Sequence, residues 1–430
     1  MLKIVDWGML SRTQRDGVFE PPAEANFAQV AAVEIVEGIR RGGDSALHDY
    51  AMRFDGVTLD EFRVSAGEID TARAELAAED ETAIRAAGDA VRRFHELQGL
   101  NAYCVETWPG VAASRRVLPV ESAGLYVPAG SAPLVSTLIM LAVPAQIAGV
   151  PRIAICVPPG KDGKVNATVL ATASLLGLNE IYAIGGAQAI AALAFGLGGL
   201  PRADKIFGPG NAYVAAAKTH VSQLPGGPAI DLPAGPSEVM VIADGDARPD
   251  FVAADLLAQA EHDPMAKVVL VCDTIEIRDE VFKTVEGQLA ALSRSDIAAQ
   301  AMANSVCVLA SQDSWLDVIN CAAPEHLILQ IADAEKLAGR ITNAGAIFIG
   351  AWTPESAGDY AAGPNHTLPT GRAARAYGGV TVESFQKTIT MLSANREGAK
   401  AIAPTVERLA ALEGLDGHAT AMRLRREATS

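Results

Sequence analysis

Residues 152–178 contain RIAICV followed by ATVLATASLLGL, a short β-rich apolar run and then a longer run with a helical pattern. The same succession occurs twice more, as IYAI with AQAIAALAFG in residues 181–196 and as DKIF with NAYVAAAKTHVSQL in residues 204–224. Strands that alternate with helices at this spacing form parallel sheets covered by helices. The stretch therefore predicts an α/β fold.

Further short strands are predicted in the second half of the chain. They are EVMVIAD (238–244), KVVLVCD (267–273), SVCVLA (305–310), HLILQ (326–330) and AIFIG (346–350). So many strands in one chain favour two parallel sheets over a single sheet. The segments before residue 100 and after residue 382 have mostly helical patterns, which predicts a helical N-terminal segment and a helical C-terminal arm.

Composition excludes several classes of protein. The 430 residues include 35 Lys and Arg against 51 Asp and Glu, a net charge of −16. Such an acidic chain has no overall attraction for nucleic acid or anionic lipid, so neither partner is expected. The five cysteines are an odd number, widely spread and without a C-x-x-C pair, which argues against a disulfide framework and against a thiolate zinc site.

The uncharged run from Ser122 to Pro151 resembles a membrane segment only at first sight. Prolines at 128, 133 and 144 interrupt it and leave residues 134–143 as its longest unbroken apolar piece. A membrane-spanning helix needs roughly 20 residues, so this run is predicted to be buried core. The N-terminus lacks the apolar stretch of a secretory signal, and we expect a cytoplasmic protein.

Two glycine loops lie between predicted strands and helices. Neither G-x-G-x-x-G nor the phosphate-binding G-x-x-x-x-G-K-[ST] motif is present, but GGAQ (185–188) and GPGN (208–211) each precede a helix. Backbone N–H groups at a helix N-terminus attract anions, so these loops are candidates for cofactor contacts. Loops between strands and helices are also often rich in glycine for turn geometry alone.

Histidines, acids and an amide in the second half form candidate metal sites. Gln259 and His262 stand three residues apart near the end of a predicted helix, which places both on one face. Asp359 and His366 lie in the long Gly/Pro-rich segment 354–379, and His418 lies in the helical arm. These ligand types suit Zn²⁺, but no compact metal motif connects them, and isolated pairs of this kind are typical of ordinary surfaces.

Glu325 and His326 are an acid and an imidazole side by side at the start of the predicted strand HLILQ. Neighbouring side chains point to opposite faces in a strand and about 100° apart in a helix. The pair can therefore serve two different proton transfers rather than act as one dyad. A solvated charge pair at the beginning of a strand would have the same sequence.

Taken together, several strings resemble the histidinol dehydrogenase family, and the resemblance runs from about residue 18 to the C-terminal arm. The strings are GLYVPAGSAPL (124–134), GGAQAIAALAFG (185–196), DKIFGPGNAYV (204–214), AIDLPAGPSEVMVIAD (229–244), QAEHD (259–263), PEHLILQ (324–330) and SAGDYAAGPNHTLPT (356–370). They occur in the family's order. Two departures are the run GRAARAYGGVTVESF (371–385) and Ala419, where Lys is common.

The resemblance implies a four-electron oxidation of L-histidinol to L-histidine in two NAD⁺-dependent steps, with histidinaldehyde kept bound. It also implies one zinc ion per subunit, which binds the imidazole and amino group of the substrate. The positions that match the family's zinc ligands are Gln259, His262, Asp359 and His418.

Catalytic and binding roles follow by the same matching of positions. His326 corresponds to the general base of the alcohol step, and Glu325 to the residue that activates water for the aldehyde step. Substrate contacts correspond to Ser237, Gln259, His262, His326, Asp359, His366, Glu413 and His418. NAD contacts correspond to Tyr126, Gln188 and Asn211.

The resemblance further implies two incomplete dinucleotide-binding-like domains and a homodimer in which each C-terminal arm completes the other subunit's site. We accordingly expect an N-terminal arm (1–20), an α/β domain with most of the site residues (21–125 with 239–380), an inserted NAD-binding domain (126–238) and the helical arm (381–430).

Two other functions fit part of the sequence. An oxidoreductase of the same fold for another small hydroxy compound, such as dihydroxypropanesulfonate, would not need the imidazole-selecting groups His366 and Glu413. A zinc hydrolase with Glu325 as the activator of a metal-bound water would leave the NAD-matching loops unexplained.

Overall fold

The computed structural model describes residues 2–20, 25–129, 133–232 and 235–428. The strands in these ranges are β1 Lys3–Asp6, β2 Tyr103–Trp108, β3 Val111–Pro119, β4 Ser122–Tyr126, β5 Arg152–Val157, β6 Ile181–Ala183, β7 Lys205–Phe207, β8 Ala229–Ile230, β9 Glu238–Ala243, β10 Lys267–Cys272, β11 Val306–Leu309, β12 His326–Gln330, β13 Ala346–Ile349 and β14 Gln386–Ala394. The helices are α1 Arg12–Val18, α2 Ala25–Asp55, α3 Ala66–Glu75, α4 Ala78–His95, α5 Val135–Ile147, α6 Ala167–Leu175, α7 Gly186–Phe195, α8 Ala212–Gln223, α9 Pro249–Ala260, α10 Ile275–Leu289, α11 Ser295–Ala303, α12 Trp315–Ala322, α13 Ala334–Ala338, α14 Glu355–Tyr360, α15 Arg396–Leu412 and α16 Asp416–Glu427.

Five parallel strands form one sheet, in the order β6-β5-β4-β7-β8. Counted from β4, this is the order 3-2-1-4-5, which is that of a dinucleotide-binding fold without its sixth strand. The chain reverses its direction of winding between β4 and β7, so ligands are expected in the crevice at the carboxyl ends of those two strands.

Six parallel strands form a second sheet, in the order β1-β11-β10-β9-β12-β13. When its strands are counted from β9 in chain order, β11-β10-β9-β12-β13 has the same 3-2-1-4-5 order as the first sheet. Strand β1 adds an edge strand. The two sheets thus share a topology. The predicted α/β fold with two incomplete dinucleotide-binding-like sheets is confirmed.

Helix α2 packs on α7 and α8, α3 on α6, and α4 on α5, so these three helices pack on the helices that cover the five-stranded sheet. Strand β4 is the middle strand of that sheet. Strand β1 pairs with β11 at the edge of the six-stranded sheet. The expected division into domains stays a prediction.

The sequence predicted a helical C-terminal arm, but the structure places a strand in this region as well. Strand β14 pairs antiparallel with β3, and β3 pairs with β2, to form a small third sheet that leads into α15 and α16. Several large apolar side chains of this region are exposed, among them Leu392 on β14 and Leu412 on α15. Within the described residues, no helix has the length and apolar character needed to cross a membrane.

Candidate active site

The candidate catalytic residues meet at the amino edge of the six-stranded sheet. Strand β12 begins at His326 and pairs with β9, where His326 stands opposite Val239. Ser237 and Glu238 at the start of β9 therefore lie beside Glu325 and His326 at the start of β12. The sequence folds in this way because both strands are continuous apolar runs that bury their two faces.

His326 is buried and held by its backbone neighbour across the sheet. Its Nδ1 lies 3.2 Å from the carbonyl oxygen of Glu238, so Nδ1–H can donate there. Its Nε2 is buried and has no hydrogen-bond partner among the described residues. Neutral imidazole protonated at Nδ1 has a free lone pair at Nε2. In its neutral form, this ring can therefore accept a proton at Nε2.

Glu325 is also buried, and its Oε2 accepts a hydrogen bond of 2.7 Å from the backbone N–H of Glu238. The same oxygen lies 3.6 Å from Nδ1 of His326. The side chains of these two neighbouring residues therefore lie close together in the cluster.

Helix α14 places two further carboxylates against His326. Glu355 and Asp359 are four residues apart and share one helix face. Oε1 of Glu355 lies 3.5 Å from Nδ1 of His326, and Oδ1 of Asp359 lies 3.6 Å from Nε2. Sequence reasoning missed Glu355, which is 2 % exposed, although its E-x-x-x-D spacing to Asp359 was a usable signal.

The cluster changes the proton affinity of its members. Burial disfavours the imidazolium form of His326, but the carboxylates of Glu355, Glu325 and Asp359 outweigh burial and raise the pKa of His326 to about 10. Burial raises the pKa of Glu325 to about 8. A carboxyl and an imidazole with shifted pKa values in one buried cluster are typical of acid–base chemistry.

Side chains of types that can bind a metal surround the same cluster. His326, Glu355 and Asp359 each offer a ligand atom, and these atoms lie within 4.8 Å of one another. Helix α9, which packs on α14, carries Gln259 into the interior, where neither polar atom of its buried amide has a hydrogen-bond partner in the described part of the chain. A buried amide without hydrogen bonds is costly unless a ligand satisfies it. His262 lies just beyond α9. Burial lowers the pKa of its imidazole, and the charge of Asp359 partly offsets that effect.

His366 connects the two sheets. Its Nδ1 lies 2.9 Å from the carbonyl oxygen of Asp359, and its Nε2 lies 3.4 Å from Oγ1 of Thr137 on α5. Helix α5 begins shortly after β4, at the carboxyl edge of the five-stranded sheet. The amino edge of one sheet therefore faces the carboxyl edge of the other.

The expected NAD contacts gather at that carboxyl edge. The hydroxyl oxygen of Tyr126, the last residue of β4, accepts a hydrogen bond from the N–H of Gly186. Gln188 lies in the first turn of α7, and the side chain of Asn211 caps α8 by accepting from the N–H groups of Tyr213 and Val214. The structure brings together residues from the loops after β4, β6 and β7.

Glu413 and His418 lie away from the cluster within one chain. Both are exposed, Glu413 at the end of α15 and His418 in the first turn of α16. A single chain thus carries Gln259, His262 and Asp359 near His326, while Glu413 and His418 lie on its arm.

Comparison with known proteins decides the family. The sequence model of the histidinol dehydrogenase family matches residues 21–426. The chain belongs to this family. A histidinol dehydrogenase of Xylella fastidiosa is 46 % identical over 427 residues, covering 99 % of both chains, and one of Vibrio vulnificus is 44 % identical over 429 residues with the same coverage.

A crystal structure of histidinol dehydrogenase from Elizabethkingia anophelis matches with a TM-score of 0.92 and 42 % identity, over 99 % of this chain and 98 % of that one. The family is one of NAD-dependent oxidoreductases, and its reaction is the four-electron oxidation that produces histidine. The expected family, fold and oxidoreductase class are therefore confirmed. The hydrolase interpretation does not agree with this membership.

Proposed function

We propose that the cluster around His326 is where this chain oxidises L-histidinol to L-histidine, with histidinaldehyde kept bound between the two steps. The observation that carries the proposal is the buried Nε2 of His326, which makes no hydrogen bond within the described residues while Nδ1 is held by the backbone. An unpartnered buried base costs stability, and a substrate hydroxyl would satisfy it.

His326 acts as the general base of the alcohol step. Nε2 would take the proton of the substrate hydroxyl group, and NAD⁺, when bound, would accept the hydride. The carboxylates of Glu355 and Asp359 within 3.6 Å then stabilise the imidazolium that forms. The Glu238 carbonyl keeps the ring in the required tautomer and orientation.

Glu325 acts in the aldehyde step, because an aldehyde has to become a hydrate before it can lose hydride. A carboxylate that takes a proton from water promotes this addition, and a raised pKa makes it a stronger base. Its single backbone hydrogen bond, from Glu238, leaves the other carboxylate oxygen for water.

The residues present fit a zinc ion. Gln259, His262 and Asp359 would hold it together with His418 from a second copy of the chain, and the buried, unpartnered amide of Gln259 supports this set. When bound, the metal supplies a template for the imidazole and amino groups of the substrate. Ser237, His366 and Glu413 would complete the substrate pocket, where Glu413 offers a negative charge to the amine.

NAD⁺ binds, on this proposal, at the carboxyl edge of the five-stranded sheet. Tyr126, Gln188 and Asn211 line that edge next to the point where the winding reverses. His366 contacts both Thr137 at this edge and Asp359, so a cofactor bound at this edge would lie close to the proposed substrate site.

A homodimer with exchanged arms completes the site. The arm exposes apolar side chains that a partner would bury, with Leu392 at 72 % and Leu412 at 67 % exposure. Glu413 and His418 are exposed on the same arm, where a second subunit can receive them.

Glu325→Gln tests the division between the two steps. The variant keeps the size of the side chain but removes the proton acceptor, so oxidation of histidinaldehyde is expected to slow about 10²-fold or more, and oxidation of histidinol to aldehyde less than about tenfold. Single-turnover NADH formation from each substrate measures both rates. Equal losses in the two steps would contradict the assigned role of Glu325.

A further inference from the structure

The five-stranded sheet lacks the acidic residue that dinucleotide-binding folds place at the end of their second strand. In such folds an Asp or Glu there binds the adenosine ribose, and it distinguishes NAD from NADP, which carries a 2′-phosphate. Here β5 is the second strand, and the residues that follow it are Pro158, Pro159 and Gly160. The carboxylate of this loop, Asp162, lies five residues beyond the end of β5, where its Oδ1 accepts a hydrogen bond from the N–H of Lys164.

Asp55, the last residue of α2, supplies a carboxylate to this place from outside the sheet. Its Oδ2 accepts hydrogen bonds from the N–H of Gly185, at 3.3 Å, and from Nε2 of Gln188, at 3.2 Å. A Cβ built on Gly185 would lie 2.9 Å from Oδ1 of Asp55 and 2.8 Å from the Pro158 ring. The carboxylate therefore lies between the ends of β5 and β6.

One oxygen of this carboxylate remains available to a ligand. Asp55 is half-buried, and within the described part of the chain its Oδ1 makes no hydrogen bond. The two donors to Oδ2 hold the group in a fixed orientation. Gln188, one of these donors, is also one of the proposed NAD contacts, so the carboxylate borders the proposed cofactor site directly.

We propose that Asp55 binds the hydroxyl groups of the adenosine ribose and excludes the 2′-phosphorylated dinucleotide. The inference rests on the proposed position of NAD⁺. Ribose hydroxyls donate hydrogen bonds to a carboxylate, and such charge-assisted bonds are strong. A phosphate at the same position would bring a second anion against Asp55, and like charges at short range repel.

A purely local role for Asp55 leads to a different expectation. If the carboxylate only tied the end of α2 to the first turn of α7, its loss would weaken the binding of both dinucleotides to the same degree. The ratio of their specificity constants would then not change. This ratio therefore distinguishes binding of the ribose from support of the loop.

The experiment compares kcat/KM for NAD⁺ and NADP⁺ with L-histidinol in the zinc-loaded wild type and in Asp55→Asn. Asparagine keeps the shape of the side chain and an oxygen acceptor but removes the charge. The ratio of kcat/KM for NAD⁺ to that for NADP⁺ is expected to fall at least tenfold, while the zinc content is maintained. A ratio unchanged within twofold would overturn the inference and leave the proposed function standing.

A matched control lies on the same helix. Asp44 of α2 accepts a hydrogen bond of 2.8 Å from the N–H of Gly198 and has no contact with Gln188, so Asp44→Asn is expected to leave the ratio unchanged. An equal fall in this control would also overturn the inference. If the wild type reduced neither dinucleotide with histidinol, both the proposed function and the inference would fail.

A measurement on the wild type alone covers the case in which Asp55→Asn does not fold. ADP-ribose and its 2′-phosphorylated form are compared as competitive inhibitors against NAD⁺ at constant ionic strength. The inhibition constant of the phosphorylated form is expected to be at least tenfold larger. Equal inhibition by the two compounds would overturn the proposed exclusion.

Discussion

His326→Asn is expected to lower kcat for histidinol oxidation by about 10²–10⁴-fold, the usual contribution of a general base. Asparagine can still donate a hydrogen bond to the carbonyl oxygen of Glu238, which accepts from Nδ1 of His326 in the wild type. It has no basic nitrogen at the position of Nε2. The substitution thus removes proton transfer while it keeps the anchor to β9.

The same preparation should keep its zinc, since His326 is outside the proposed ligand set of Gln259, His262, Asp359 and His418. Steady-state kinetics and metal analysis together separate the two effects. His220→Asn is the control, because His220 on α8 contacts Glu37 rather than the cluster, and its kcat should stay within about twofold. A loss below tenfold in His326→Asn, or a parallel loss of zinc, would contradict the assigned role.

The proposed exchange of C-terminal arms predicts a second large effect, on the activity of a mixed dimer. His326→Asn damages the part of a subunit outside its arm, here called the body. His418→Ala damages the arm and should abolish activity by removing a proposed metal ligand. A heterodimer of the two variants should regain one intact site, formed by the body of the His418→Ala subunit and the arm of the His326→Asn subunit. Its expected activity is half that of the wild-type dimer.

The heterodimer is obtained by co-expression of differently tagged subunits and purification through both tags. Each parent homodimer serves as the inactive control. If arms served their own subunit, every site in the heterodimer would contain one damaged residue. A heterodimer as inactive as its parents would therefore contradict arm exchange.

The parallel strands were predictable from the sequence because most of them are buried on both faces. Strands β5, β9 and β10 are near-continuous apolar runs, and each is followed by a helical pattern. The motifs carried over from the family likewise placed Glu325, His326 and Asp359, which the structure brings into one cluster. The roles of these residues stay predictions.

Other features depend on pairing across the chain and leave little local signal. Strand β14 was missed because its residues are mostly exposed, and because its partner β3 lies far upstream. In the sequence, Glu355 is an ordinary acidic residue in the first turn of a helix. Its place in the cluster follows from the contact of its side chain with His326 on β12. Asp55 ends helix α2, which we expected to belong to the α/β domain of residues 21–125 rather than to the NAD-binding domain. Its contact with Gln188 follows from the packing of α2 on α7.

The most direct test of the account is the number of NADH molecules formed per L-histidinol consumed by the purified protein with excess NAD⁺. Measured before chelation, after chelation and after zinc is returned, the predicted yields are two, none and two. One NADH per histidinol would show that oxidation stops at the aldehyde. No NADH from histidinol with the zinc-loaded protein would contradict the proposed function of this site.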